Sequence, residues 1–220
     1  MSYKIELEEI VQLTPDTYRL TFPKPPGYDF VAGQATEVAL DRDGWRDEKR
    51  PFTFTSQPGD NQLEFTIKSY PRGGVTEQIA HLERGEAVLI GEPFGAIRDN
   101  GPGVFIAGGA GVTPFIPILR KRHREGSLDG CMLIFANKTE KDIILRQEWQ
   151  EMGDLVTVFT VTRDEDSQLP HRRVDEAFLK ETVSDISGNF YVCGPPSMID
   201  DVTAALRRLG AEPDALVLEE

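Results

Sequence analysis

Two cysteines, three histidines and a shortage of positive charge set the first limits on this 220-residue chain. Two cysteines, Cys131 and Cys193, cannot ligate an iron–sulfur cluster unaided, nor do they form the dense framework of a small secreted disulfide protein. A reducing, cytoplasmic setting is therefore expected. Lys and Arg number 24 against 37 Asp and Glu, a formal net charge of -13. That balance lacks the clustered cationic surface that a nucleic-acid backbone demands, so no nucleic acid is expected as a partner. No run approaches the ~20 apolar residues of a membrane span. The opening Met1-Ser2-Tyr3-Lys4-Ile5-Glu6 has no apolar signal core, so no membrane partner is expected. The short basic clusters Lys121 to Arg124, Arg172-Arg173 and Arg207-Arg208 read first as solvated helix faces and ends, with a contact to an acidic protein or a phosphate as the alternative for one of them.

What is present is the composition of a folded protein, with 39% hydrophobic and 28% charged residues, in a length that suits two domains of roughly 100 to 120 residues. From Tyr3 to Glu92 short β-prone runs alternate with turn residues: Lys4 to Leu13, Tyr18 to Phe22, Thr36 to Leu40, Phe52 to Thr55, Leu63 to Ile67 and Val88 to Ile90. This spacing predicts a small antiparallel β-barrel, interrupted by one helix from Thr76 through Leu82 to a stop at Gly85. After Asn100-Gly101-Pro102-Gly103 the rhythm becomes strand, helix, strand, helix. Strands are expected at Val104 to Ala107, Cys131 to Ala136, Leu155 to Thr162 and Phe190 to Cys193, with one more at Leu216 to Leu218. Helices are expected at Pro114 to Arg124, Ile143 to Met152, Val174 to Thr182 and Ser197 to Leu209. The fold class is thus a two-domain chain, a barrel over residues 1–99 and an α/β domain with a parallel sheet over residues 100–220.

Val104 to Ala107 runs into Gly108-Gly109-Ala110-Gly111-Val112-Thr113-Pro114, a strand, a glycine-rich turn and a helix start. Glycines let backbone approach a diphosphate, and the helix end favours the anion. Pro114 suits a first helical turn. A tight structural turn is the alternative that these residues leave open. The Asp or Glu that a dinucleotide fold usually carries after its second strand is missing, with Asn137-Lys138-Thr139 in its place. Tyr191-Val192-Cys193-Gly194-Pro195-Pro196 ends a second strand at the same crevice, although Cys193 alone reads first as a small buried core residue. In the first half, Arg50-Pro51-Phe52-Thr53-Phe54-Thr55 alternates along a strand, with Arg50, Phe52 and Phe54 on one face. A cation, an aromatic face and hydroxyls suit a flavin nucleotide, while a barrel strand with a surface Arg is the plainer alternative. Gly73-Gly74-Val75-Thr76 before the lone helix offers a second anion site.

With Arg50 to Thr53, Gly73 to Thr76, Gly91-Glu92-Pro93-Phe94-Gly95, Gly109 to Pro114 and Cys193 to Pro196 in this order, the chain resembles the ferredoxin–NADP reductase superfamily. It looks most like short bacterial flavodoxin or ferredoxin reductases and oxygenase reductase modules. The resemblance implies a flavoprotein with FAD, or else FMN, that takes hydride from NADPH or NADH. It then passes electrons to a separate acceptor such as a flavodoxin, a ferredoxin or an oxygenase component. It also implies residue roles. Arg50 and Thr76 would hold flavin phosphate, Phe52 would stand where the family usually has Tyr, and Thr53 would approach the reacting edge of the flavin. Pro51, Ile67, Lys68, Gly73, Gly74 and Val75 join the flavin site. Gly109, Ala110, Gly111, Val112, Thr113 and Pro114 form the pyrophosphate loop, and Cys193, Gly194 and Pro195 sit near the nicotinamide. Thr53 and Cys193 are the residues placed at the reacting rings. Thr162-Arg163 tilts the coenzyme towards NADPH, against a reading of Arg163 as a solvated neighbour of Asp164, Glu165 and Asp166. A general flavin reductase, a subunit of a larger electron-transfer complex and a nucleotide-binding module with an empty barrel are the competing readings.

Overall fold

Turn residues divide the first half into seven short strands. The computed structural model describes residues 2–95, 97–212 and 216–218. Its first half holds β1 (Tyr3–Glu6), β2 (Glu9–Thr14), β3 (Thr17–Pro23), β4 (Ala35–Leu40), β5 (Arg50–Thr53), β6 (Gln62–Lys68) and β7 (Ala87–Ile90). They form two antiparallel sheets, in the orders β1-β7-β4-β5 and β2-β3-β6. The single run expected from Lys4 to Leu13 is cut in two, because the chain changes sheets at its middle. There the Leu7 N–H donates to the Glu86 carbonyl and the Glu8 N–H to that of Thr21. A bridge between Phe54 and Phe65 ties the two sheets again. The barrel so closed packs Phe54 on Phe30 with ring centroids 4.2 Å apart and on Phe65 at 5.2 Å, contacts that add to the burial of apolar area. Beside them the Tyr28 hydroxyl donates to the Gly91 carbonyl at 2.8 Å. Burial pushes its pKa up to about 12, so it stays protonated at neutral pH. The lone helix, α1 (Val75–Ile79), is shorter than expected. Leu82 lies in turns beyond it yet is still buried with Val75 and Ile79 in the barrel core.

The second half contains β8 (Gly103–Gly108), α2 (Phe115–Arg124), β9 (Met132–Asn137), α3 (Arg146–Glu151), β10 (Val156–Val161), α4 (Glu176–Thr182), β11 (Asn189–Cys193), α5 (Pro196–Leu209) and β12 (Leu216–Leu218). Its five strands are parallel, in the order β10-β9-β8-β11-β12. Phe115, Leu119 and Trp149 cover one face over Phe105, Leu133 and Phe135. Phe178, Val202 and Leu206 cover the other over Val104, Ile106 and Val192. The helix expected over Ile143 to Met152 is reduced to α3. A capping box between Thr139 and Asp142 closes a separate 3-10 turn at Glu140–Asp142, and Leu145, at φ 56°, breaks the path between them. Because β8 lies between β9 and β11, the chain reverses direction across it and leaves a crevice at the strands' carboxyl ends.

The two halves meet through α2. Gln57 Nε2 donates to the Pro117 carbonyl at 2.9 Å. Arg120 Nη1 donates at 3.1 Å to both the Thr55 carbonyl and Glu64 Oε1 on the barrel. Its Nε and Nη2 donate to the two oxygens of Glu148 at 2.6 and 3.0 Å. Burial works against this charge, but the two carboxylates outweigh it and raise the guanidinium pKa further. Arg120→Met leaves two carboxylates facing each other without their cation, and should cost about 2 kcal/mol in urea unfolding. Adding Glu64→Gln and Glu148→Gln should restore part of that loss. An unchanged unfolding midpoint for Arg120→Met alone would show that the clamp carries no stability.

Candidate functional site

β5 is the edge strand of its sheet, so residues from both of its faces reach the same opening. Arg50, Pro51, Phe52 and Thr53 all line a cavity of about 490 Å³ there. Phe52 packs its inner side on the barrel core, and Thr53 is 7% exposed. Phe54 is not part of this wall. The barrel core takes it up entirely, so the aromatic side chains of the cavity wall are Phe52 and Tyr70. Arg50 stands at the mouth, where its Nη1 donates to the Lys49 carbonyl at 2.6 Å and its Nη2 lies 3.7 Å from Glu48. Thr66, Ile67, Lys68, Tyr70 and Thr76 complete the barrel side. The Thr76 hydroxyl accepts from the Tyr70 N–H at 3.3 Å. Gly73, at φ 70°, donates its N–H to Glu77 Oε2 at 2.6 Å. A phosphate that reaches this amide has to displace that carboxylate. Gly74 precedes α1 and Val75 is buried within it.

Ala110, Gly111, Thr113, Gly194 and Pro195 close the same cavity from the α/β side. They stand at the carboxyl ends of β8 and β11, where a 3-10 turn over Gly109–Val112 leads towards α2. Glycine is required here by contact. A Cβ on Gly111 would collide with the Cys193 carbonyl, and one on Gly108 with the Met198 sulfur and the Pro195 ring. Gly109 differs, since its φ of 54° favours glycine while the space beside it is open. Val112, Pro114 and Cys193 are buried behind the wall rather than on it. Cys193 is part of the buried core, and its carbonyl is the group that Gly111 approaches.

A second cavity, of about 540 Å³, opens on the far side of Gly108 and Gly109. Its walls bring in Asn137, Lys138, Thr162 and Arg173. Thr162 was expected there, whereas Arg163 is exposed and does not line it. Lys68, Lys138 and Arg173 face Asp142 and Asp201 across this space. Asp142 is already engaged, accepting from the Thr139 N–H and hydroxyl at 3.0 and 2.9 Å. Both side-chain amide atoms of Asn137 are buried without a hydrogen-bond partner, an arrangement that costs stability unless something satisfies it. Tyr70, Asn137, Lys138 and Arg173 were missed as site residues. The signal for the middle two was the unusual Asn137-Lys138-Thr139 after the second strand, and for Arg173 the Arg172-Arg173 pair. Nothing in the sequence marked Tyr70.

The residues fit the groups that these cavities suggest. One has an aromatic wall, hydroxyls and a guanidinium, the other a glycine-built turn at a strand-to-helix junction flanked by cations. Together they offer room for a flavin and a nicotinamide nucleotide side by side. Residues 4–98 match the oxidoreductase FAD-binding domain, and residues 105–204 the oxidoreductase NAD-binding domain. The chain, most of which the two matches together cover, is thus an oxidoreductase FAD-binding domain followed by an oxidoreductase NAD-binding domain. It is 24% identical over 211 residues to the ferredoxin–NAD(P)(+) reductase component of the naphthalene 1,2-dioxygenase system of Pseudomonas putida, covering 91% of this chain and 63% of that protein. It is 28% identical over 209 residues to the reductase component of propane 2-monooxygenase from Mycolicibacterium smegmatis, covering 88% of this chain and 58% of that one. It thus spans about three fifths of the length of these relatives. The fold matches a ferredoxin NADP+ reductase from Neisseria gonorrhoeae with bound FAD and NADP at a TM-score of 0.85 and 20% identity, covering 99% of this chain and 98% of the other.

The glycines give a test of this geometry. Gly111→Ala forces backbone against backbone and should weaken coenzyme binding more than tenfold while lowering stability by about 2 kcal/mol. Gly109→Ala meets only the cost of its positive φ, about 1 kcal/mol. Equal effects of the two substitutions on binding and on thermal unfolding would refute the close approach at Cys193.

Proposed function

We propose that this chain is an NAD(P)H-dependent flavoprotein reductase. FAD lies along β5 in the barrel of residues 1–99, and the coenzyme lies over the glycine turn of the α/β domain of residues 100–220. The observation that carries this reading is the shared wall: Lys68, Tyr70, Gly108, Ala110 and Pro195 line both cavities. Two ligands seated there are neighbours. A flavin held there would supply the chemistry of accepting a hydride from reduced nicotinamide and releasing electrons singly. The chain's own part is to hold the two rings in contact and to exclude water. Phe52 supports one ring by packing, and the Thr53 hydroxyl stands at the cavity wall to bond it. Arg50 supplies charge at the mouth for a phosphate. No side chain needs to act as acid or base, in keeping with an absence of histidine from both cavities.

For the acceptor, the relatives' names support an oxygenase component or its ferredoxin over a flavodoxin. For the coenzyme, Lys138 and Arg173 favour NADPH, because an added phosphate beside two cations gains charge-assisted hydrogen bonds. On this reading the selectivity rests on Lys138, Arg173 and Thr162, which line the cavity, whereas Arg163 is exposed outside it.

The absorption spectrum of the purified protein should show flavin bands that bleach under anaerobic NADPH faster than under NADH. Lys138→Glu should lower kcat/KM for NADPH about tenfold or more and leave that for NADH within about threefold. A colourless protein that takes up neither FAD nor FMN refutes the reductase reading. Flavin that binds only loosely and leaves in reduced form points to a general flavin reductase instead.

A further inference from the structure

Lys68 stands apart from the other cations of the site. Arg50 lines only the flavin cavity, and Lys138 and Arg173 line only the coenzyme cavity, whereas Lys68 lines both. It is also held. Its side chain is 10% exposed, with Nζ 2.7 and 2.8 Å from the two carboxylate oxygens of Asp16. Asp16 sits in the turn between β2 and β3, where Oδ1 also accepts from the Thr14 and Thr17 hydroxyls at 3.3 Å. The backbone is fixed by the same turn, since the Ser69 N–H donates to the Asp16 carbonyl at 2.7 Å. A lysine is a flexible chain that loses much rotamer freedom when it is pinned to a ligand. Here that freedom is already lost before any ligand arrives.

We propose that Lys68, tethered by Asp16, is a shared positioning cation that couples the binding of the two nucleotides. This rests on the two-nucleotide reading above and adds to it the way in which one ligand senses the other. Two phosphate-bearing ligands that meet at one wall repel each other, and the repulsion grows as water is excluded. An ammonium fixed between them offsets it for both. Electron density gained by the flavin is stabilised by the same charge, so Lys68 acts on the flavin's potential as well as on coenzyme affinity. Asp16 sets where the ammonium stands. Its negative charge lowers the local field, and its hold on Nζ more than makes up for this by placing the cation at the junction.

The test uses the flavin-loaded protein with oxidised NADP+ as a non-reacting probe. Its Kd is read from the perturbed flavin spectrum, and the flavin midpoint potential from equilibration with a reference dye. Lys68→Gln should raise the Kd about tenfold, as expected for a lost charge-assisted contact, and shift the potential to more negative values. Lys68→Arg should keep both within about threefold, and Arg173→Gln should raise the Kd without moving the potential. Asp16→Asn gives the sharpest reading. If net charge alone mattered, removing a carboxylate would tighten NADP+ binding. The tether predicts the opposite, a Kd raised several-fold although the site is one charge more positive. A tightened or unchanged Kd in Asp16→Asn overturns the tether, and a Lys68→Gln protein altered in only one of the two readouts overturns the shared role. Wild-type protein that binds no flavin or gives no spectral change with coenzyme refutes the reductase reading itself, which separates the two failures.

Discussion

The site exists only where two independently cored units meet, so the interaction on which the rest depends is the grip of Arg120 on both of them. Its guanidinium is the knot between Thr55 and Glu64 on the barrel and Glu148 in α3. Neither cavity is complete within one unit. The flavin side needs Gly111 and Pro195 from the α/β domain, and the coenzyme side needs Lys68 and Tyr70 from the barrel. Reaction between two bound rings gains its rate from holding them at contact, and a shift of an ångström removes much of the gain. An interface fixed by one planar, multiply bonded guanidinium resists such shifts better than an apolar contact of equal area, which has no preferred register. Gln57 bonded to Pro117 repeats the restraint nearby, on the same helix. The Asn100 N–H donating to the Tyr191 hydroxyl anchors the linker at the opposite end of the parallel sheet.

Given that docking, the parallel sheet provides its crevice without further design. Reversal of strand order at β8 leaves the ends of β8 and β11 adjacent, and the two turns leaving them compete for the same volume. Gly108 and Gly111 settle the competition by giving up their side chains, so the glycine turn presses onto the Cys193 carbonyl and the Pro195 ring. The consequence reaches the function. The outer surface of the turn, at Gly109 and Ala110, stays bare backbone on which a diphosphate can settle.

The parts of this arrangement that depend on local rules could be read from the chain. A buried strand followed by glycines and Pro114 is such a rule, and so is the alternation of strands and helices after Gly103. The parts that escaped depend on distant partners. Lys4 to Leu13 looks like one strand because nothing in those residues announces that Glu86 and Thr21 will take successive amides. Ile143 and Ile144 have helical spacing, yet the capping box of Thr139 with Asp142 and the left-handed Leu145 place them outside any helix. Phe54 continues the alternation of Arg50 and Phe52, but the barrel's need to fill its core decides its direction. Arg163 and Arg173 illustrate the limit best. Both lie in the stretch between β10 and α4, and only the path of that loop determines which guanidinium reaches the cavity.

Charge is arranged against its own average. A chain of net charge -13 repels anionic ligands at a distance, but at about 0.1 M salt the repulsion fades beyond roughly 10 Å. The anionic coenzyme is therefore not drawn in by the field of the whole protein. On the proposed reading it is retained by groups close to it, the backbone of the glycine turn and the cations Lys68, Lys138 and Arg173 that line the cavity. Affinity built this way resides in slow departure more than in fast arrival. For a protein acceptor the balance differs, because a large partner feels the outer surface. There Lys49 and Arg50, at the flavin edge, are each matched by a neighbouring glutamate, Glu37 and Glu48. The cations Lys49 and Arg50 are thus each offset by a carboxylate. An acceptor that docks at this edge has to do so through shape and short-range contacts, with little electrostatic steering unless its own face is basic.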